Sequence, residues 1–212
     1  DVRRILALLP QKRQNLLFSA TMAPEVIKVV DSVLTDPVRV EVTPPATPVE
    51  RVEQRVYPVC RTQKTDLLVE MLKSGGRTRT LVFTRTKHRA DRISRQLTKR
   101  GVRSEAIHGD RSQNQRERAL EAFKSGRSHV LVATDVVSRG IDIDQIGCVI
   151  NYDMPNTTED YVHRIGRTAR AGASGTAISL LAAEEHETLT AIERHLGTVL
   201  ACEDFEGFRY KE

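Results

Sequence analysis

Short, wholly apolar runs separated by segments of helical period dominate the sequence and leave few architectures open to it. Leu81-Val82-Phe83 and Val130-Leu131-Val132 offer water no polar side chain, so strands built on them need cover on both faces, as in a parallel sheet. Elsewhere the apolar spacing lengthens. Val26, Val29, Val30 and Val33 fall at i, i+3, i+4 and i+7, one stripe of a helix. This spacing predicts strands at 15–18, 38–42, 54–59, 80–84, 104–108, 129–133, 148–152 and 175–181, and helices at 24–34, 64–73, 87–100, 113–125, 158–166 and 184–196. Ser112 with Gln115 three residues on fits a capping box, and Gly75-Gly76, Gly101 and Gly126 fit helix stops. Repeated strand-helix alternation specifies an α/β sandwich with a mostly parallel sheet. Pro44, Pro45 and Pro48 lie within six residues; they remove amide donors and block both helix and central strand, so 43–53 reads as a linker. After Leu200 no period is visible, and 198–212 reads as a loose extension.

Charge is unevenly distributed. Overall the chain carries +5, yet residues 77–103 hold ten Lys and Arg against Asp91 alone, a local +9, and 182–212 sum to −5. Such a basic segment is equally a solvated face or a surface for a polyanion, since crowded like charges repel unless an anion relieves them, and helical Arg89, Arg92, Arg95 and Lys99 read as a solvated face that adds unspecific attraction. Nucleic acid is the leading partner on charge alone. Cys60, Cys148 and Cys202 form neither a CxxC pair nor a ligand cluster with histidines, which fits reduced thiols and no bound metal. No apolar run approaches the ~18 residues that span a bilayer, and Asp1 opens no signal segment. The expectation is a soluble, cytoplasmic fragment that starts mid-protein, without a membrane partner.

Ligands of an open parallel sheet gather where its strands end. After the strand at 129–133 come Thr134, Asp135, Ser138, Arg139, Gly140 and Asp142: a capped turn, or polar groups gathered for a ligand. His163, Arg167 and Arg170 stand at i, i+4 and i+7 and would share a face if the helix continued; one imidazole and two guanidiniums suit phosphate. Ser19 and Thr21 close the first predicted strand.

Taken together these segments resemble the DEAD-box RNA helicases of helicase superfamily 2. Ser19-Ala20-Thr21 is similar to motif III, and Leu81-Val82-Phe83 with residues 84–87 to motif IV. His108-Gly109-Asp110 followed by Gln113-Asn114-Gln115-Arg116 resembles the QxxR motif, Thr134-Asp135 with Arg139-Gly140-Ile141-Asp142 motif V, and 163–170 motif VI. Ala169 departs from the pattern, where Gly is commoner. The likeness spans residues 1 to about 197. It implies a RecA-like three-layer α/β/α fold: 1–42 the end of lobe one, 43–53 the linker, 54–197 lobe two, 198–212 an extension.

The resemblance also implies roles. Arg167 and Arg170 would be arginine fingers on the γ-phosphate, His163 would hydrogen-bond across the cleft, and Asp142, with Gly140 and Arg139 shaping its loop, would meet the nucleotide. Thr86, Gly109, Arg116 and Thr134 would contact the backbone of single-stranded or duplex RNA, and Ser19 and Thr21 would couple the lobes. ATP and Mg2+ would be bound mainly by an N-terminal RecA-like lobe, since no GxxxxGK[ST] run occurs in these 212 residues. The parent would then be an ATP-dependent RNA helicase, with this polypeptide inactive alone. A superfamily 2 DNA helicase or translocase lobe and a stand-alone RNA-binding module remain the alternatives. Apolar residues of 1–42 would need cover, from lobe one or from self-association.

Overall fold

The computed structural model describes residues 2–19, 22, 24–40, 52–76, 78–135, 146–169 and 174–211. The chain divides into two compact units, Asp1–Pro45 and Ala46–Glu212.

In the first unit the described elements are α1 (Val2–Ala7) and α2 (Pro24–Val33). The predicted strand at 15–18 is not formed, and 38–40 are irregular too; residues 41 and 42 lie outside the described residues. A strand needs a ladder partner, and no described segment of this unit supplies one. An apolar run alone does not make a strand.

The second unit carries the predicted alternation: β1 (Val52–Pro58), α3 (Lys64–Ser74), β2 (Thr80–Phe83), α4 (Lys87–Lys99), β3 (Ser104–Ile107), α5 (Gln113–Lys124), β4 (Val130–Ala133), β5 (Cys148–Asn151), α6 (Thr158–Ile165), β6 (Gly175–Leu181), α7 (His186–Leu196) and β7 (Ala201–Cys202). Among the described residues the seven strands form one sheet in the order β3-β4-β2-β5-β6-β1-β7, every pair parallel. This is the RecA-like α/β arrangement expected. The predicted capping box is present: Ser112 Oγ accepts from Gln115 N, and Gln115 Oε1 from Ser112 N.

Continuous apolar strands follow from cover on both faces. Along β2, Val82 packs with Leu67, Leu68, Ile93 and Leu97 of α3 and α4, whereas Leu81 and Phe83 pack with Ala119 and Phe123 of α5. On that second face Ala177 and Leu181 of β6 meet Tyr161 and Ile165 of α6 and Leu189 and Ile192 of α7.

The loose extension expected at 198–212 is overturned. β7 pairs with β1, and Phe205, Phe208 and Tyr210 pack against the α3–α4 core. Buried Gln63 donates to Arg209 O at 2.9 Å and accepts from Lys211 N at 2.7 Å. Aromatics spaced irregularly in a tail show no period, yet they add apolar area wherever the tail can reach an open face.

Candidate functional site

Parallel register places the loops of interest side by side. Ile107, Ala133, Phe83, Asn151 and Ser179 form one row across β3, β4, β2, β5 and β6. The next residues along each strand are therefore His108, Thr134, Thr84, Tyr152 and Leu180, all at the carboxyl rim of the sheet.

Of the residues predicted for RNA, Gly109, Thr134 and Thr86 follow three adjacent strands and meet on this rim. Thr134 is half-buried and Gly109 exposed. Thr86 Oγ1 caps α4, accepting from Arg89 N at 3.2 Å. Gly109 is not required by the fold: a Cβ built there has nothing within 4 Å, and its backbone is not left-handed. Arg116 sits in the first turn of α5, its guanidinium 3.3 Å from Gln113 Oε1.

Charges around the rim are tightly ordered. Lys87 pairs with Asp110 at 2.6 Å, and that ammonium holds the Asp110 carboxyl below its usual range. Asp91 of α4 lies 2.6 Å from Arg111 and 3.0 Å from the buried His108. Burial pushes the Asp91 carboxyl up, but the imidazole and guanidinium beside it outweigh that and lower it.

Beneath the rim lies a buried polar network that sequence reasoning missed. Arg164 of α6 is only 2% exposed. Its Nε and Nη2 fork onto Asp135 at 2.6 and 2.8 Å, while Nη1 donates to Asp153 O at 2.7 Å and Asn151 Oδ1 at 3.2 Å. The guanidinium also stacks 5.0 Å from the Phe83 ring centroid. One side chain thus ties the loop after β4 to the loop after β5. The signal was present: Tyr161, Arg164 and Ile165, at i, i+3 and i+4, are the buried face of α6. A second buried cation, Lys64, donates to Tyr152 O, Leu180 O and Glu185 Oε2 at 3.0, 2.7 and 2.5 Å. Asp153 accepts from Arg85 N at 2.8 Å and pairs with Arg89.

The predicted phosphate-binding face is only partly as expected. His163 is in the last turn of α6, half-buried, its Nδ1 without a hydrogen-bond partner among the described residues. The regular helix stops at Ile165, however. The amides of Arg167 and Thr168 bond three residues back, to Arg164 O and Ile165 O, both at 3.1 Å. The helical face expected to run from His163 to Arg167 is therefore broken after Ile165, and its continuation to Arg170 falls outside the described residues. Gly166 ends the helix, and Thr168, donating through Oγ1 to Ile146 O, pins the chain. Ala169 then turns left-handed at φ 55°, the region where glycine is favoured, which gives the family's commoner Gly at this place a conformational reason. Close packing enforces the turn: a Cβ on Gly175 would stand 2.0 Å from Thr168 Oγ1. Arg170, Arg139, Gly140, Asp142 and Thr21 lie outside the described residues. Ser19 is exposed in the irregular segment of the first unit.

Among the described residues no three His, Cys, Asp or Glu side chains gather to hold a metal ion. No helix among them is long and apolar enough to cross a membrane.

Comparison with known proteins agrees with the arrangement. The pattern of the helicase conserved C-terminal domain family matches residues 63–172. The chain is 42% identical over 205 residues to the ATP-dependent RNA helicase RhlB of Pseudomonas syringae pv. tomato, covering 96% of this chain and 52% of that protein. It thus spans about half the length of that relative. Among solved structures, E. coli DEAD-box protein SrmB bound to regulator of ribonuclease activity A is 37% identical with a TM-score of 0.70, covering 76% of this chain and 98% of that one. Dbp5 of S. cerevisiae bound to RNA and ADP BeF3 is 31% identical with a TM-score of 0.81, covering 95% and 54%.

Proposed function

Because the chain belongs to the DEAD-box RNA helicase family, through its helicase C-terminal domain, we propose that it is the C-terminal part of an ATP-dependent RNA helicase that couples ATP hydrolysis to duplex unwinding or RNP remodelling. Residues 1–42 would close the first lobe and 43–51 link; β1 opens the second lobe at Val52, two residues before the 54–197 expected from sequence, and 198–212 extend it. The observation that carries the reading is the row of strand ends that brings Thr86, Gly109 and Thr134 onto one rim. Hydroxyls and an accessible glycine backbone there suit sugar and phosphate, with Arg116 close by in sequence on α5. Such contacts set position without reading bases. The Dbp5 neighbour, held with RNA and a nucleotide, supports the same division of labour.

On the nucleotide side Arg167 and Arg170 would place fixed positive charge at the γ-phosphate oxygens, where an arginine finger contributes roughly 10³ to 10⁵ in rate. Asp142 would hold the ribose, with Arg139 and Gly140 shaping its loop, and His163 would hydrogen-bond across the nucleotide cleft. Mg2+ would neutralise phosphate charge and is assigned, with the phosphate cradle, to the N-terminal RecA-like lobe, since these 212 residues contain no GxxxxGK[ST] run. That lobe would also work with Ser19 and Thr21. The first unit exposes Leu8, Phe18, Val38 and Val40, which the same lobe would cover, or a second copy in its absence. We place the protein in the cytoplasm. The 212 residues alone are expected neither to hydrolyse ATP appreciably nor to unwind RNA.

The test is Arg167→Ala in the full-length parent. Turnover of RNA-stimulated ATP hydrolysis should fall by at least about 10³ with RNA affinity retained; turnover within tenfold of the parent's refutes the assignment. Stimulation by DNA as strong as by RNA would refute the RNA reading.

A further inference from the structure

The outer face of α4 is positively charged along its length, and the rim contacts leave it unused. His88, Arg92, Arg95 and Lys99 are all exposed and follow one another at steps of four, three and four residues, which keeps them within about 60° around the helix axis. Ala90, Ile93, Ser94 and Leu97 are the buried residues of the same helix and occupy the side opposite the stripe, at whose edge Arg92 also borders a cavity lined by Tyr152, Asp153 and Glu184. Arg103, also exposed, continues it past the helix end.

The other cations of this segment are engaged: Lys87 with Asp110, Arg89 with Asp153, Arg100 with Asp66 at 2.5 Å. Among the described residues no carboxylate forms an ion pair with Arg92, Arg95, Lys99 or Arg103. Asp91, the one acid of the helix, is turned toward Arg111 and His108. Unrelieved like charges held on a rigid helix cost free energy that a polyanion would remove.

Continuity with the rim identifies that polyanion. Thr86 is at once a rim residue and the cap of α4, Lys87 reaches Asp110 beside Gly109, and the stripe begins at the next residue. From His88 to Lys99 it runs about 16 Å, enough for about three phosphates of an extended strand. We propose that the α4 face is a second RNA-binding surface: single-stranded RNA leaving the rim past Thr86 runs along Arg92, Arg95 and Lys99, held by its phosphates without base preference. An acidic protein segment would match the charge equally but would have no reason to start at the rim. The inference rests on the rim being the RNA site.

The experiment measures binding of the 212-residue chain to oligouridylates of about six and about twenty nucleotides, at about 50 and about 200 mM salt. In the triple variant Arg92→Gln, Arg95→Gln, Lys99→Gln, affinity for the long RNA should fall about tenfold, and the slope of log K against log salt should flatten by about 2, from ~0.7 per phosphate contact. Affinity for the short RNA and the circular dichroism spectrum should stay unchanged. A charge-keeping pair, Arg92→Lys with Arg95→Lys, should bind within about twofold of the parent, as point charges suffice for phosphate. Unchanged long-RNA binding in the triple variant, or equal losses on both lengths, overturns the inference and leaves the rim reading intact. If the unaltered chain binds neither RNA, the rim reading falls and takes this one with it.

Discussion

Replacing Arg164 by Met keeps the volume of a side chain that is 2% exposed and removes its charge and every donor. Asp135, whose side chain is 23% exposed, would lose a two-pronged partner, and Asp153 O and Asn151 Oδ1 would lose one donor each. Breaking a buried pair by deleting one partner costs about 3–5 kcal/mol. Water reaching the partly exposed Asp135 places that part near the lower limit, and two abandoned acceptors add about 1 kcal/mol each. We expect a loss of about 5 kcal/mol, a third or more of the roughly 5–15 kcal/mol typical of a domain. With a urea slope of about 2 kcal/mol/M, the unfolding midpoint should drop by about 2.5 M. Arg164→Lys keeps the charge without the fork and should lose about half as much. Combined with Asp135→Asn, Arg164→Met should destabilise by about 2 kcal/mol less than the two single losses summed, since the neutral amide no longer needs the cation. Urea titration followed by far-ultraviolet circular dichroism reads all four variants. A loss below about 1.5 kcal/mol for Arg164→Met, or a coupling below about 0.5, would refute the role given to this residue.

Two glycines should respond oppositely. Gly175→Ala forces a methyl to 2.0 Å from Thr168 Oγ1 and should cost at least about 3 kcal/mol, whereas Gly109→Ala should leave the melting temperature unchanged and weaken RNA binding in a filter assay; equal stability losses would contradict both readings. At Ala169 relief of left-handed strain, about 1–2 kcal/mol, offsets the lost methyl burial and the extra unfolded-state entropy of glycine. Ala169→Gly should therefore change stability by no more than about 0.5 kcal/mol, against a loss of about 2 for Ala119→Gly, buried within α5; similar losses at both would show that φ 55° carries no strain. Truncation after Cys202 removes Phe205, Phe208 and Tyr210 from the core and should cost about 3 kcal/mol by urea titration; an unshifted midpoint would mean the tail does not dock. Asp91 is depressed in the fold, so its stabilisation is present above the unfolded value near 3.9 and is lost as pH falls through the lower folded value. Asp91→Asn should accordingly destabilise at pH 7, with the difference shrinking as pH falls below the unfolded value, and a pH-independent difference would remove charge from the explanation.

Local chemistry determined much of this protein from the sequence outright. Strand-helix alternation, the Ser112 capping box, the glycine stops and the loops after each strand are set by backbone preference and by two-sided cover of apolar strands, both of which act over a few residues. The motif positions on the rim follow from the same logic, since parallel strands in register bring their next residues together wherever each loop lies in the chain. Other features depended on partners distant in sequence. Residues 15–18 have the composition of a strand and no ladder to join among the described residues. The helix expected to continue from His163 to Arg167 ends at Ile165, because Gly166 stops it and Thr168 is held by Ile146, twenty-two residues earlier. The aromatic tail without a period docks because the α3–α4 core offers it area, with Gln63 holding both Arg209 and Lys211. Arg164 looked like one more cation of a basic motif, and only the fold made it the buried tie between two loops. Burial turns a common charge into a costly one that must be paired, and burial is decided by what packs around a residue.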